Sequence, residues 1–153
     1  MSSEPQPTPA LEAAARRRRE LREALVAFED AISSPMRDRE AWRAEVDDAL
    51  VHLGHAFEDH VTETEAPGGL YEEMGDLAPH LASKARRLRD EHPQIAAGLV
   101  EAGGLVAGPL ADEADIERVR DELQRLMGRI VRHRQHGADL VWEAYRIDIG
   151  GAG

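Results

Sequence analysis

The chain has 153 residues, enough for one domain, and its 32% charged and 42% hydrophobic residues are typical of a globular protein. The formal net charge of −11 at pH 7 argues against non-specific binding to nucleic acid or to an anionic membrane, because both depend on neutralising negative charge. Cysteine is absent, which excludes disulfides, thiolate metal ligands and cysteine nucleophiles.

A polar, proline-bearing segment opens the chain, and residues 1–8 are expected to form a disordered tail. The first helix is predicted from Pro9 to Ser33, with Thr8 as its N-cap and Pro9 in its first turn. One charged residue, Arg18, interrupts its apolar stripe. This side chain is expected either to extend out of the bundle end or to project toward the interior. The rest of the arginine run at residues 16–19 is interpreted as a solvated face.

The second helix is predicted from near Asp38 to about Thr64. Proline and two glycines at residues 66–69 must interrupt it, because neither residue type is comfortable inside a helix. Residues Leu70 to Met74 then predict one or two further turns, and Gly75 is expected to break the chain again.

The third helix is predicted from Pro79 to Ala102, with Gly103 and Gly104 as its end. A kink or local loosening is expected at Pro93, which lacks the N–H needed for the helical hydrogen bond.

The fourth helix is predicted from Asp112 to Tyr145, and residues 148–153 are expected to form a flexible glycine-rich tail. No stretch alternates with a period of two for long enough to predict a strand. Four long helices with short connections predict an all-α, up-down-up-down four-helix bundle over residues 9–147.

Three of the seven histidines stand where a buried apolar residue would be expected, each on the stripe of a different helix. The three stripes are Trp42, Val46, Ala49, Leu53, Phe57 and His60; Leu77, Leu81, Ala85, Leu88, His92, Ile95 and Leu99; and Ile116, Val119, Leu123, Met127, Ile130 and His133. A buried imidazole needs a polar partner. Three of them on three helices suggest a shared partner, and a metal ion is the simplest.

The predicted turn between the second and third helices supports the idea that these rings lie at the same height along the bundle. If the chain turns back between residues 75 and 79, His60 and His92 are about equally distant from the turn and meet on adjacent antiparallel helices. A longer loop before the fourth helix could bring His133 to the same height. The alternative is that each is an ordinary core histidine bonded to a nearby carboxylate or carbonyl group.

The remaining histidines are weaker candidates. His52, His55 and His80 lie on charged faces and are interpreted as surface residues. His136 lies about 60° around the helix from His133, so it is expected either to reach the interior or to stay at its boundary.

Several segments resemble the hemerythrin-like (HHE cation-binding) family, over about residues 11–147: RELREAL, HVTETEAPGGLYEEM, RLRDEHPQI and RHRQHGADLVWEAY. The resemblance implies a four-helix bundle with a non-heme di-iron centre, in proteins that bind dioxygen, sense oxygen or nitric oxide, or handle iron. Position by position, it implies that His60, His92 and His133 match the family's histidines on helices two, three and four.

Other family ligand positions carry different residues here. The helix-one histidine falls at or near Arg18, the helix-two glutamate on Thr64, the second helix-three histidine on Ala96, and the helix-four acid near Gly137, with Asp139 beyond it. The resemblance therefore implies a remodelled site. Its ligands would be the three histidines with Glu65 or Glu63, and His136 as a further candidate, while Glu91 or Asp139 would accept a hydrogen bond from a ligating ring.

The expected function is that of a hemerythrin-like protein holding one or two non-heme iron ions, with manganese or zinc as alternatives. A small diatomic molecule is the implied ligand, and binding or sensing is expected rather than catalysis. The alternatives are a metal-free bundle acting as an interaction or regulatory module and, more weakly, a small oxidase or peroxidase. With no leader and no apolar run near 18 residues, a cytoplasmic protein is expected, and no protein partner is indicated.

Overall fold

The computed structural model describes residues 6–146, so residues 1–5 and 147–153, where most of the two expected tails fall, lie outside the described residues. Within that range the chain is helical and contains no strand. Its helices are α1 Pro9–Ser33, α2 Arg39–Glu65, α3 Leu70–Leu77, α4 Pro79–Ala107 and α5 Glu113–Tyr145. The all-α prediction is confirmed, with α3 as a short helix in the connection between two long ones.

Side-chain caps set the starts of three of the four long helices, α1, α2 and α5, close to where the sequence predicts them. Thr8 accepts a hydrogen bond from the backbone N–H of Leu11 at 3.1 Å, and Pro9 occupies the first turn of α1. The carboxylates of Asp38 and Asp112 accept hydrogen bonds from N–H groups two or three residues further on. Each cap satisfies a backbone donor that the first turn of a helix leaves without a partner.

Two predicted helix breaks are wrong. Gly75 lies inside α3, where a Cβ would make an ordinary contact with Ala82 of α4 at 3.4 Å. The break comes instead at Ala78, whose extended backbone suits a residue that precedes a proline. Leu77, predicted on the buried stripe, is 54% exposed.

Helix α4 also continues through Gly103 and Gly104 to Ala107. Each glycine costs only about 1 kcal/mol relative to alanine in a helix. The additional turn buries Val106 in the core, which offsets much of that cost. Pro93 lies inside α4, and the kink expected there stays a prediction.

Contacts between the long helices make α1, α2, α4 and α5 consecutive neighbours around a four-helix bundle. The neighbours run antiparallel. Arg43 near the start of α2 donates to the carbonyl of Gly108 at the end of α4, and Lys84 near the start of α4 pairs with Glu143 near the end of α5. Among the described residues, no helix is both long enough and apolar enough to cross a membrane.

The apolar core is divided into two clusters along the bundle axis. The larger one contains Phe28, Trp42, Phe57, Val106 and Ile130 among its members. The smaller one, near the N-terminus of α1, is formed by Leu11, Ala14, Leu70, Met74, Leu81, Ala85, Leu88, Leu140 and Val141. A layer of polar side chains lies between the two clusters and contains the predicted histidines.

A tight turn between α2 and α3 directs the chain across this polar layer. Gly68 has a φ of 73°, in the left-handed region that favours glycine. A Cβ on Gly69 would lie 2.7 Å from the carbonyl oxygens of both Glu63 and Ala66, so only glycine fits without a shift. The turn therefore fixes where α3, and Tyr71 on it, meets the bundle.

Candidate metal site

Three helices bring His60, His92 and His133 together between the two apolar clusters. One nitrogen from each ring lies within 4.8 Å of those of the other two, and the group could hold a metal ion. The ring centroids are 4.9 to 5.3 Å apart. His92 and His133 are each only 2% exposed. The prediction that three inward histidines meet at one level is confirmed.

Phe57 forms the apolar wall of this cluster. Its ring centroid lies 5.8 Å from that of His60, 5.7 Å from that of His92 and 6.2 Å from that of His133. Phe57 stands one turn before His60 on α2 and belongs to the larger core cluster. It therefore packs the three imidazoles against the main core and limits their movement on that side.

Carboxylates bind the outer nitrogens of two of the rings. Oε2 of Glu65 lies 2.6 Å from Nδ1 of His92, and Oε1 of Glu91 lies 2.9 Å from Nδ1 of His133. An ionised carboxylate can only accept, so Nδ1 carries the proton in both rings. The neutral form of each ring then has its lone pair on Nε2, the nitrogen available to bind a metal.

The inner nitrogens have partners of their own. Nε2 of His133 lies 3.2 Å from Nε2 of His60, and Nε2 of His92 lies 3.1 Å from the hydroxyl of Tyr71. With both acceptor nitrogens assigned, His60 donates to His133 and Tyr71 donates to His92. Each of the three rings therefore has a hydrogen-bond partner when no ion is bound.

Burial lowers the pKa of all three histidines. The pKa of His60 falls well below its ordinary value because of burial and the positive charges that His133, His92 and Arg18 would present to it. The pKa values of His92 and His133 are lowered by burial as well, although Glu65 and Glu91 oppose the shift. The rings are therefore neutral at pH 7, which is the form that binds metal.

Two buried arginines flank the cluster on the α1 side. Nη1 of Arg18 donates to the backbone carbonyl of Arg134 at 2.6 Å, so Arg18 projects inward and does not extend to solvent. Burial, followed by the charge of Arg18, lowers the pKa of Arg134 to about 10. Arg134 therefore remains charged at pH 7, and Arg18 acts on it as a positive charge.

A cavity of about 30 Å³ adjoins the rings, with space for about two water-sized atoms. Its lining includes Arg18, His60, Thr64, Tyr71, His133 and Arg134. Thr64 is buried and donates its hydroxyl to the carbonyl oxygen of His60 at 2.8 Å, which satisfies that carbonyl within α2. The rest of the cavity lining is apolar, from Ala14, Leu21, Leu70, Met74 and Val141, so the open side of the histidine cluster is small and most of its surface is apolar.

The structure does not bring the other predicted ligands into the group. Glu65 binds the outer nitrogen of His92 and pairs with Arg89 at 3.0 Å, so it positions the ring and does not face the cluster. Glu63 is half-buried and is rotated about 100° around α2 from Thr64. Its negative charge acts on Arg17 of α1 and not on the histidine cluster. His136 is exposed on α5.

Of the two predicted hydrogen-bond acceptors, Glu91 and Asp139, one contacts the cluster and the other does not. Glu91 has the role expected of it, whereas Asp139 is exposed and accepts from Gln135 at 2.9 Å. Ala96, the position of the family's second helix-three histidine, is exposed. A histidine placed there would not start from the buried face of α4.

The surface histidines lie where the sequence predicts them. His52 and His55 are exposed on α2. His80 is exposed at the start of α4 and lies 3.2 Å from Glu143.

Sequence reasoning missed two side chains at the site, Tyr71 and Arg134. Arg134 follows His133 directly and so falls about 100° away from the apolar stripe, where a charged residue is ordinarily solvated. Tyr71 belongs to the short α3 segment between two glycine-containing breaks. Its place in HVTETEAPGGLYEEM, which also holds His60, is the one signal that could have identified it.

Comparison of the chain with protein-family models, with curated proteins and with solved structures found no match.

Proposed function

We propose that this protein binds one transition-metal ion through His60, His92 and His133. The observation that supports it is the convergence of three neutral imidazoles from three helices, with their candidate ligand nitrogens within 4.8 Å of one another. Carboxylates on Nδ1 of His92 and of His133 orient those rings as metal-bound histidines are usually oriented.

The spacing of the nitrogens suits a single ion. Two ligands bound at about 2.0–2.1 Å lie roughly 2.9–3.4 Å apart for angles between 90° and 109°. The Nε2 atoms of His60 and His133 are 3.2 Å apart, within that range. The ligand nitrogen of His92 lies within 4.8 Å of the other two, and a movement of its ring would bring it to the same ion. His60 would transfer its proton from Nε2 to Nδ1, leaving a lone pair toward the ion.

A single ion fits these residues better than two. The di-iron centre implied by the family resemblance needs five histidines and two carboxylates, and the group within the described residues has three histidines. Imidazole ligands suit iron and zinc, whereas manganese prefers oxygen ligands. We favour non-heme iron on the resemblance, with binding or sensing of oxygen or nitric oxide, or iron handling, as the role rather than catalysis.

The test is metal content after anaerobic loading with ferrous iron, followed by removal of free ion. About one equivalent is expected in the unmodified protein, and His60→Ala, His92→Ala and His133→Ala should each lose most of it. His52→Ala and His55→Ala remove exposed histidines from the same helix as His60 and should retain it. Unchanged iron in all three single variants of the cluster would refute the shared site.

A metal-free interaction module is the second candidate, and the buried guanidinium groups favour it. Arg18 and Arg134 place positive charge beside the rings, which opposes the binding of a cation. Each of the three rings also has a hydrogen-bond partner without an ion. Less than a tenth of an equivalent of iron, manganese or zinc after loading would show that the protein is a metal-free bundle.

A further inference from the structure

We propose that Tyr71 is the fourth protein ligand of the histidine site and binds the ion through its phenolate oxygen. The inference rests on the proposed function, and it deepens it by defining an asymmetric site with one anionic ligand.

The tyrosine oxygen lies beside the nitrogen that would bind the ion. The hydroxyl of Tyr71 is 3.1 Å from Nε2 of His92, and the two rings stack with centroids 5.6 Å apart and an interplanar angle of 26°. A separation of 3.1 Å is within the roughly 2.9–3.4 Å expected for two neighbouring ligands of one ion. An ion at the centre of the cluster therefore replaces the hydrogen bond from Tyr71 to His92 with two metal–ligand bonds.

Tyr71 also lines the cavity that adjoins His60 and His133. Of the residues that line it, none is an aspartate or a glutamate, and Tyr71 is the one whose oxygen can become an anionic ligand. Burial raises the pKa of the Tyr71 hydroxyl, so the phenolate forms only when the ion binds to it. Three neutral imidazoles leave the full charge of the ion in a buried place that already contains Arg18 and Arg134. A phenolate ligand reduces that positive charge by one unit, which favours metal binding.

Coordination requires the loss of one proton and no change of oxidation state. The O–H bond of Tyr71 breaks, the metal–oxygen bond forms, and the proton passes to the buffer. Phenolate is a hard oxygen donor that is known as an axial ligand of iron in proteins. The resulting site should prefer ferric iron to ferrous iron more strongly than three imidazoles alone would.

The chain contains one other tyrosine, Tyr145, which packs against the smaller core cluster and provides a matched control. The experiment compares the unmodified protein with Tyr71→Phe and Tyr145→Phe, with circular dichroism to confirm that all three fold. Zinc, which has no absorption of its own, is added while the ultraviolet difference spectrum is recorded. The tyrosinate band should appear in the unmodified protein and in Tyr145→Phe, and should be absent from Tyr71→Phe.

Ferric iron gives a second readout. A visible phenolate-to-iron charge-transfer band is expected in the unmodified protein and in Tyr145→Phe, and Tyr71→Phe should lose it while retaining metal with at least roughly tenfold weaker affinity. Metal binding without a tyrosinate band in the unmodified protein would overturn the assignment of Tyr71 and leave the histidine site intact. Failure of every variant to bind metal would refute the proposed function and this inference together.

Discussion

Glu91 accepts a hydrogen bond from Nδ1 of His133 across 2.9 Å, although its own side chain is 37% exposed and the imidazole is buried. An acid at the bundle surface thus fixes the tautomer of a ring in the polar layer. The arrangement lets the environment of Glu91 affect the nitrogen on the opposite side of the ring.

Replacing Glu91 with alanine should weaken metal binding by about 10- to 100-fold, because His133 loses the acceptor that orients it and raises its basicity. Competition with a chromophoric chelator measures the change. Glu143→Ala is the control, since Glu143 belongs to the same surface region but pairs with Lys84 and His80. Equal affinity in Glu91→Ala and in the unmodified protein would show that the hydrogen bond has no part in binding.

The metal-free protein should lose stability as the pH falls from about 7 to 5. The unfolded histidines titrate near pH 6.5, whereas burial lowers the pKa values of His60, His92 and His133 in the folded state. The unfolded chain therefore binds more protons in this window, and the free energy of unfolding decreases as the pH decreases. Each histidine contributes up to about 1.4 kcal/mol per pH unit while only its unfolded form is protonated.

Urea denaturation at a series of pH values, with a chelator present, checks this dependence. His60→Gln removes one titrating ring and should reduce the slope of the free energy of unfolding against pH between pH 5 and pH 7. His52→Gln, which replaces an exposed histidine on the same helix, should leave the slope unchanged. A slope that is identical in all three proteins would contradict the prediction.

Two glycine substitutions should have opposite effects on stability. Gly69→Ala places a Cβ 2.7 Å from two backbone carbonyl oxygens and should destabilise the protein by about 1–3 kcal/mol while displacing α3. Gly104→Ala lies within α4 where a Cβ would meet nothing within 4 Å, and should stabilise it by roughly 0.5–1 kcal/mol. Denaturant unfolding measures both, and a stabilising Gly69→Ala would show that the turn adapts.

The helix starts were predictable from sequence because capping is local. Thr8, Asp38 and Asp112 each make their hydrogen bond within three residues. The glycines were misjudged because the cost of each in a helix is small and local, whereas the gain from burying Val106 depends on the rest of the bundle. Local sequence thus determined the starts of these helices better than their ends.

The candidate site was predictable to the extent that it follows helical periodicity. His60, His92 and His133 lie on apolar stripes and meet as expected. Tyr71 could not be found in that way, since the path of a turn decides where its short helix docks. Glu65 was predicted to be a candidate metal ligand, whereas it binds Nδ1 of His92, the outer nitrogen. The sequence does not indicate which nitrogen of a ring a nearby carboxylate meets.

Helix α1 contributes no histidine to the cluster, and its polar links there include the hydrogen bonds that Arg18 and Arg134 donate to each other's backbone carbonyls. An ion would cross-link α2, α4 and α5, so opening any of these three would break a metal bond, while α1 could detach without breaking one. Amide hydrogen exchange should therefore slow most in α2, α4 and α5 on metal binding and least in α1. The bundle would then consist of three helices linked by the ion and a fourth helix, α1, whose opening requires less free energy.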